Sequence, residues 1–270
     1  LLSRCALATL ATAVVITVLS CGEPLATTEP VILRVSGSPA MVDMVQEVAD
    51  VFTRRVGGVS LQIEGGGTAY GLESLRRGDS DVAMVSWLPP DLDSGWEAIR
   101  IARDGLAIIV HPDNPVWGLG YLQLQDLYGG RIDTWGGIDA QLTQGTVQPV
   151  VREEGSGARA AFNELVMDGR RQTPRAVLVT SSSAAVEYVA GDPAAVGYVS
   201  LLEVHRDVRV LTLEGVSPDF ASVFQGAYPL TRELWLVSNA SPSPSVEAFL
   251  RFAVSPAGQE TIQKWQGQMQ

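Results

Sequence analysis

Thiols and imidazoles are scarce in this chain of 270 residues: it holds two cysteines, Cys5 and Cys21, and two histidines, His111 and His205. Both cysteines lie in or beside an apolar N-terminal run, so the folded part carries neither a disulfide nor a thiolate metal site. Two histidines are too few for a histidine-rich metal site, and no cofactor is expected. Positive charge is also short, with a formal net charge of -11. Nucleic-acid binders show a basic footprint, and this balance argues against that class. It does not exclude a small anionic ligand, because charges more than about 8 Å apart are largely screened at physiological salt. The local field decides. Without disulfides the fold rests on its own core, and the ~245 residues after the N-terminal segment suffice for one large domain or two small ones.

That N-terminal segment starts from Arg4 and continues as "CALATLATAVVITVLSC", with no charge before Cys21. Its length approaches that of a short transmembrane helix. The basic start, the small residues and the sharp break into "GEPLATTEP" favour an export signal over a plain membrane anchor. The end at Val18-Leu19-Ser20-Cys21 resembles the lipobox of bacterial lipoproteins, in which the cysteine is lipidated. Residues 1–21 are thus expected to be a lipoprotein signal ending at Cys21, and residues 22–30 a tether rich in Pro, Thr and Glu.

After the tether, short apolar runs alternate with helical patterns, which predicts an α/β fold. "VILRVSG" predicts a strand. In "PAMVDMVQEVADVF", Met41, Met44, Val45, Val48 and Phe52 follow a 3.6-residue period and predict a helix. "VSLQIEGGG" reads as a strand, "AYGLESLRR" as a short helix stopped by Gly78, and "SDVAMVSW" as a strand. "GLAIIVHPDNP" is a nearly wholly apolar strand. The alternation continues through "VQPVVRE", "GARAAFNELVM", "AVLVT", "SAAVEYVAG", "AAVGYVSL" and "ELWLVSN", with two helices at the end.

Three times a strand ends in a glycine-containing turn, a hydroxyl residue follows, and a helix begins: Ser38 in "VSGSPAM", Thr68 in "EGGGTAYG" and Ser156 in "REEGSGAR". Each alone reads as a helix cap, since a Ser or Thr oxygen satisfies an orphan N–H, and Pro39 suits a first helical position. Together they also read as an anion cradle. Helix N-termini offer free N–H groups and positive potential, and glycine allows close backbone approach. In an open α/β sheet such turns gather at the carboxyl ends of the strands. Arg152, just before the third turn, adds a bidentate ionised donor. "LVTSSSAAVEYVAG" repeats the pattern with Ser181, Ser182 and Ser183, read as caps or contacts between lobes.

"GGGTAYGLESLRRGDSDVAMVSW", "DGLAIIVHPDNPVWGLGYLQLQDLYGGRIDTWGGI", "REEGSGARAAF", "AGDPAAVGYVSL", "YPLTRELWLV" and "SPAGQETIQKWQ" together resemble, in collinear order over about residues 31–268, the phosphate-binding proteins of bacterial phosphate ABC transporters. The resemblance implies a two-lobed periplasmic-binding-protein fold of type II-like form, with the ligand in the cleft between lobes. Lobe 1 would comprise residues 31–108 plus 226–270 and lobe 2 residues 109–225, with "GLAIIVHP" and "YPLTRELWLV" crossing between them. It implies a monomeric, lipid-anchored protein, periplasmic or on the outer cell surface, that takes phosphate to an ABC permease. It also implies a binding protein rather than an enzyme.

Carried over by position, the ligand set is Ser38 and Ala40 with Pro39 beside them, then Thr68, Ser86, Arg152, Ser156, Gly157 and Ala158. Pro39 and Ala158 stand where the family pattern has threonine. Ser86-Trp87 stands where some members carry an aspartate that accepts the proton of hydrogen phosphate. A buried carboxylate rejects fully deprotonated sulfate by facing acceptor against acceptor. Without that aspartate, Glu64, Glu153 or Glu154 would have to serve, although the turn glutamates Glu153 and Glu154 read as exposed. The departures leave open another oxyanion, such as sulfate or a molybdate-like ion, and a sensing or surface role on the same fold.

Other readings are weaker. A serine hydrolase using Ser156 needs a base in reach, whereas both histidines lie outside the glycine turns and the Gly-x-Ser-x-Gly elbow is absent. Arg159 reads as a partner of Glu154 or Asp79, or as an ordinary surface residue. Trp87, Trp117 and Trp135 read as cleft-mouth residues or, more in keeping with tryptophan's usual burial, as packing residues.

Overall fold

The computed structural model describes residues 30–142 and 145–268. The leader, Cys21 and nearly all of the tether lie outside the described residues. β1 (Val31–Gly37) leads through a 3-10 turn at Pro39–Met41 into α1 (Val42–Val56). β2 (Val59–Gly65), α2 (Thr68–Arg77), β3 (Val82–Val85) and the long β4 (Trp96–Val110) follow. Next come β5 (Gly118–Leu119), α3 (Tyr121–Tyr128), β6 (Gln148–Arg152), α4 (Gly157–Phe162), β7 (Val177–Val179), α5 (Ser182–Gly191) and β8 (Ala195–Ser200). Short β9 (Arg209–Val210), β10 (Thr212–Leu213) and α6 (Phe220–Phe224) precede β11 (Thr231–Asn239), α7 (Pro244–Val254) and α8 (Pro256–Gln268).

Local chemistry accounts for most of these bounds. α1 buries Met44, Val45, Val48, Ala49 and Phe52 on one face and places Arg54 and Arg55 in its last turn, where they meet the negative end of the helix dipole. α2 stops at Gly78, whose left-handed φ of 75° lets its N–H return to the carbonyls of Leu75 and Ser74. Two elements differ from expectation. β4 begins at Trp96 rather than near Gly105, because β11 supplies ladder partners along Trp96–Gly105 that no local signal announces. The predicted helix after Ser156 is α only to Phe162 and then widens into a π turn over Asn163–Met167.

The strands run in the order β2-β1-β3-β11-β4-β8-β6-β7. β1 pairs in parallel with β2 and β3, and β11 lies antiparallel between β3 and β4. β4 changes partner along its length: up to Gly105 it pairs with β11, and from Leu106 with β8. β8, β6 and β7 are parallel. β4 is thus shared by both halves of the sheet. The second crossing is made just before β11, where the Leu106 N–H donates to the carbonyl of Leu230 at 2.9 Å.

Each half has its own core. In the first, Phe52, Met44, Met84, Leu236 and Phe249 pack between the sheet, α1 and α7. In the second, Tyr128, Phe162, Tyr198 and Leu230 fill one face of the sheet, and Ile109, Val150, Val189 and Val199 fill the face under α5. The turns after β1, β2 and β3 in one half meet the turn after β6 in the other.

Candidate functional site

The turn after β1 presents Ser38, which is 3% exposed, and its side chain makes no cap bond to the turn that follows. The capping reading fails there, and the hydroxyl is left to face the pocket described below. Gly37 makes the turn possible: its φ is 141° and an added Cβ would lie 2.2 Å from the Met84 carbonyl oxygen. The turn after β2 places Gly67, not Thr68, at the N-cap of α2. The Thr68 hydroxyl instead meets the third strand's end: Oγ1 lies 3.3 Å from Ser86 Oγ and accepts from the Ser86 N–H at 3.2 Å. Ser156 does cap its helix, with Oγ accepting from the Arg159 N–H at 3.4 Å. The N–H groups of Gly157 and Ala158 precede the first intrahelical bond of α4.

Arg152 ends β6 and is 5% exposed. Its Nε donates to Glu153 Oε2 at 3.0 Å and its Nη2 to Glu153 Oε1 at 2.9 Å, while Nη1 donates to Ser182 Oγ at 2.5 Å. Its backbone N–H donates to the Tyr198 hydroxyl at 3.3 Å. Tyr198 is itself fixed by stacking on Phe162, with ring centroids 4.1 Å apart and planes at 8°. Burial raises the Tyr198 phenol above its ordinary value, with the Arg152 backbone N–H opposing that shift. Tyr198 therefore anchors the Arg152 backbone, while Glu153 and Ser182 orient its guanidinium.

Ser38, Pro39, Ala40, Gly67, Ser86, Arg152, Ser156, Gly157 and Ala158 line one pocket of about 10 Å³, with Ser182, Glu203 and Arg232 completing its wall. Seven of the eight residues expected to bind ligand thus come together. The eighth, Thr68, lies one hydrogen bond away and lines a separate outer cleft of about 310 Å³ together with Trp87, Glu154, Ser156, Gly157 and Arg159. The two halves touch at this seam, where the Ala69 N–H donates to the Gly155 carbonyl at 3.2 Å.

Among the neighbouring residues some expectations hold and others are corrected. Glu153 is not an exposed turn residue, because both of its carboxylate oxygens are drawn onto Arg152. Glu154 is exposed, and Glu64 accepts from the Tyr70 hydroxyl at 2.6 Å outside the pocket. Arg159 is neither a free surface residue nor a partner of Asp79: its Nη1 donates to the Arg152 carbonyl at 2.6 Å, with Glu154 at 4.0 Å. Ser181 caps α5, whereas Ser182 links Arg152 to Glu203 by donating to Oε2 at 2.8 Å. Trp135 is a core residue and Trp87 borders the outer cleft. Trp117 is 72% exposed under the guanidinium of Arg209, so packing does not describe it.

Glu203 and Arg232 escaped the sequence reading. Glu203 sits in the short turn after β8, and burial pushes its carboxyl above the ordinary range, against the pull of Ser182, Arg232 and Arg152. Arg232 lies on β11 directly opposite Asp104 on β4; its Nε donates to Asp104 Oδ2 at 2.9 Å, and its Nη2 lies 2.7 Å from the same oxygen as an ion pair. Ser200 Oγ donates to the same oxygen at 2.8 Å. This buried pair stands where β4 passes from one half to the other.

The arrangement offers hydroxyls, backbone N–H groups and two guanidiniums around one small volume. Among the described residues no histidine lines either pocket, and Ser156 Oγ is engaged by the Arg159 N–H. The chemistry on offer is recognition of a compact group rich in acceptors.

Comparison with known proteins agrees with this form. The phosphate-binding protein PstS of Bacillus subtilis is 27% identical over 244 residues, spanning 87% of this chain and 79% of that protein. A putative phosphate ABC transporter substrate-binding protein from Clostridium perfringens, solved with bound phosphate, superposes with a TM-score of 0.80 at 28% identity, over 87% of this chain and 97% of that one. An ABC-type phosphate transport receptor from Vibrio cholerae superposes with a TM-score of 0.71 at 25% identity, over 86% and 98%. The two half-sheets and their shared strand are thus the two-lobed binding-protein fold. The profile of the PBP superfamily domain matches residues 24–257, and the chain belongs to that superfamily.

Proposed function

We propose that this protein is an exported solute-binding protein that captures phosphate between its two lobes and delivers it to an ABC permease. The observation that carries the reading is the convergence of Ser38, Ser86, Arg152 and Ser156, from the ends of three separate strands, β1, β3 and β6, on one buried pocket. The similarity to proteins named phosphate-binding and to a receptor solved with phosphate supports phosphate as the anion. Ser38, Ala40, Ser86, Arg152, Ser156, Gly157 and Ala158 are the direct ligands in this reading. Thr68 holds Ser86 and closes the cleft. Lobe 1 comprises residues 31–108 and 226–270 and lobe 2 residues 109–225, hinged where β4 changes partner. Cys21 carries the lipid that keeps the protein at the outer face of the membrane.

The pocket has about the room of one water molecule. An oxyanion therefore enters as the lobes part and is enclosed as they close, a hinge transition. Binding without turnover is the expected activity. Titration calorimetry with phosphate, sulfate, arsenate and molybdate tests it: a saturable response to phosphate supports the reading, and no response to any of the four removes it. A stronger response to another oxyanion moves the substrate and keeps the mechanism. Ala158 and Pro39 motivate that panel, since neither residue brings a side-chain hydroxyl to the pocket wall.

A further inference from the structure

Arg232 is among the largest fully buried side chains, at 2% exposure. Asp104 Oδ2 accepts from its Nε and pairs with its Nη2, but Nη1 is buried and makes no hydrogen bond. An ionised donor buried without a partner costs more than the bond it forgoes, so such groups are rare unless something else occupies the position. Asp104 has a buried oxygen without a partner too, Oδ1. The two orphans differ in one respect. Arg232 borders the pocket with Ser38, Arg152 and Ser156, and Asp104 does not.

We propose that Arg232 is a second guanidinium ligand of the bound anion, its Nη1 donating to an oxyanion oxygen while Asp104 fixes its plane and balances its charge. The inference rests on the anion reading of the pocket. It has a physical motive beyond the orphaned donor. Glu153 takes two of the guanidinium donors of Arg152 and Ser182 a third, so only part of that donor set remains for a ligand. A multiply charged anion needs further donors in a site where Glu203 adds a carboxyl. Arg232 approaches from the strand junction, whereas Arg152 approaches from lobe 2. An anion held by both would tie ligand capture to the point where β4 changes partner.

Two measurements test this on the full mature protein. A crystal structure of the unsubstituted protein with inorganic phosphate should place Arg232 Nη1 at roughly 2.7–3.2 Å from a phosphate oxygen. A water bridging Nη1 to Asp104 Oδ1, with phosphate beyond reach, overturns the proposal. In solution, Arg232→Gln combined with Asp104→Asn keeps a neutral hydrogen-bonding pair and avoids leaving one buried charge alone. That double variant, if it melts cooperatively, should bind phosphate at least tenfold more weakly, and an unchanged dissociation constant overturns the proposal. If it does not fold, the phosphate complex alone decides. Failure of the unsubstituted protein to bind phosphate, by contrast, removes the anion reading itself and this inference with it.

Discussion

The N–H of Ala69, in the first turn of α2, donates to the carbonyl of Gly155, in the turn before α4, at 3.2 Å. These two residues belong to opposite lobes, and their bond is a direct backbone link across the cleft. Close by, Gly157 leaves space that a side chain would fill: its Cβ would lie 2.1 Å from Ser86 Oγ and 2.5 Å from Thr68 Oγ1. Gly157→Ala is accordingly expected to hold the lobes apart. Phosphate affinity should fall at least tenfold and small-angle scattering should report a larger radius of gyration, with little change in melting temperature. A variant as compact and as tight-binding as the parent would show that closure tolerates the methyl group.

Arg152→Ala removes a charge-assisted donor from the pocket. Its effect on phosphate binding should be a loss of at least ~1.5 kcal/mol, the lower range for hydrogen bonds to charged groups. Ser182→Ala removes only a partner that orients the guanidinium, so its loss should be smaller, about 0.5–1.5 kcal/mol. Calorimetric titration of both variants checks the order, and equal affinities in all three proteins would remove Arg152 from the site.

Gly71 lies in the second turn of α2 where the helix crosses β1. An added Cβ would stand 2.6 Å from the Ser36 carbonyl oxygen and 2.7 Å from the Gly37 Cα. Because these are backbone atoms, the helix itself has to move. Gly71→Ala should therefore lower stability by roughly 1–3 kcal/mol despite alanine's better helix propensity. Urea unfolding measures it, and a stabilised variant would contradict the close packing.

Glu203 gives stability a pH dependence of definite sign. Burial raises its carboxyl above the ordinary value of 4.5, so the folded state retains a proton that the unfolded chain has released. Stability then falls as pH rises from that value through the raised one. Glu203→Gln removes this contribution, and its melting temperature should drop less between pH 4.5 and pH 7 than that of the parent. Parallel profiles would show that Glu203 does not titrate in that window.

The strand–turn–helix sites were legible because each repeats one local grammar: Ser38, Arg152 and Ser156 stand beside glycine turns that sequence displays openly. Ser86 came through resemblance, and its geometry explains its place, since it ends β3 and binds Thr68. The capping assignment was less transferable. Of the three hydroxyls only Ser156 caps: Gly67 takes the N-cap of α2 in place of Thr68, and Ser38 makes no side-chain cap bond. Arg232 and Glu203 were hidden for a different reason. An arginine reads by its type as solvent-facing, although Arg232 shares the buried face of β11 with Leu234 and Leu236, and its partner Asp104 lies 128 positions earlier in the chain. The first part of β4, "WEAIRIARD", was hidden likewise, since its charges mask a strand that exists because β11 pairs with it.

That pairing also dictates an order of events. β11 lies between β3 and β4, so the sheet of lobe 1 lacks its middle until Thr231–Asn239 have been synthesised. Lobe 2 draws β6, β7 and β8 from one continuous stretch and can assemble earlier. Contacts separated by so much chain form slowly, and until they form β3 and β4 present bare edges open to wrong partners. The strand that completes β4 on the lobe 1 side is thus what keeps half of the molecule unfinished while the chain is being made.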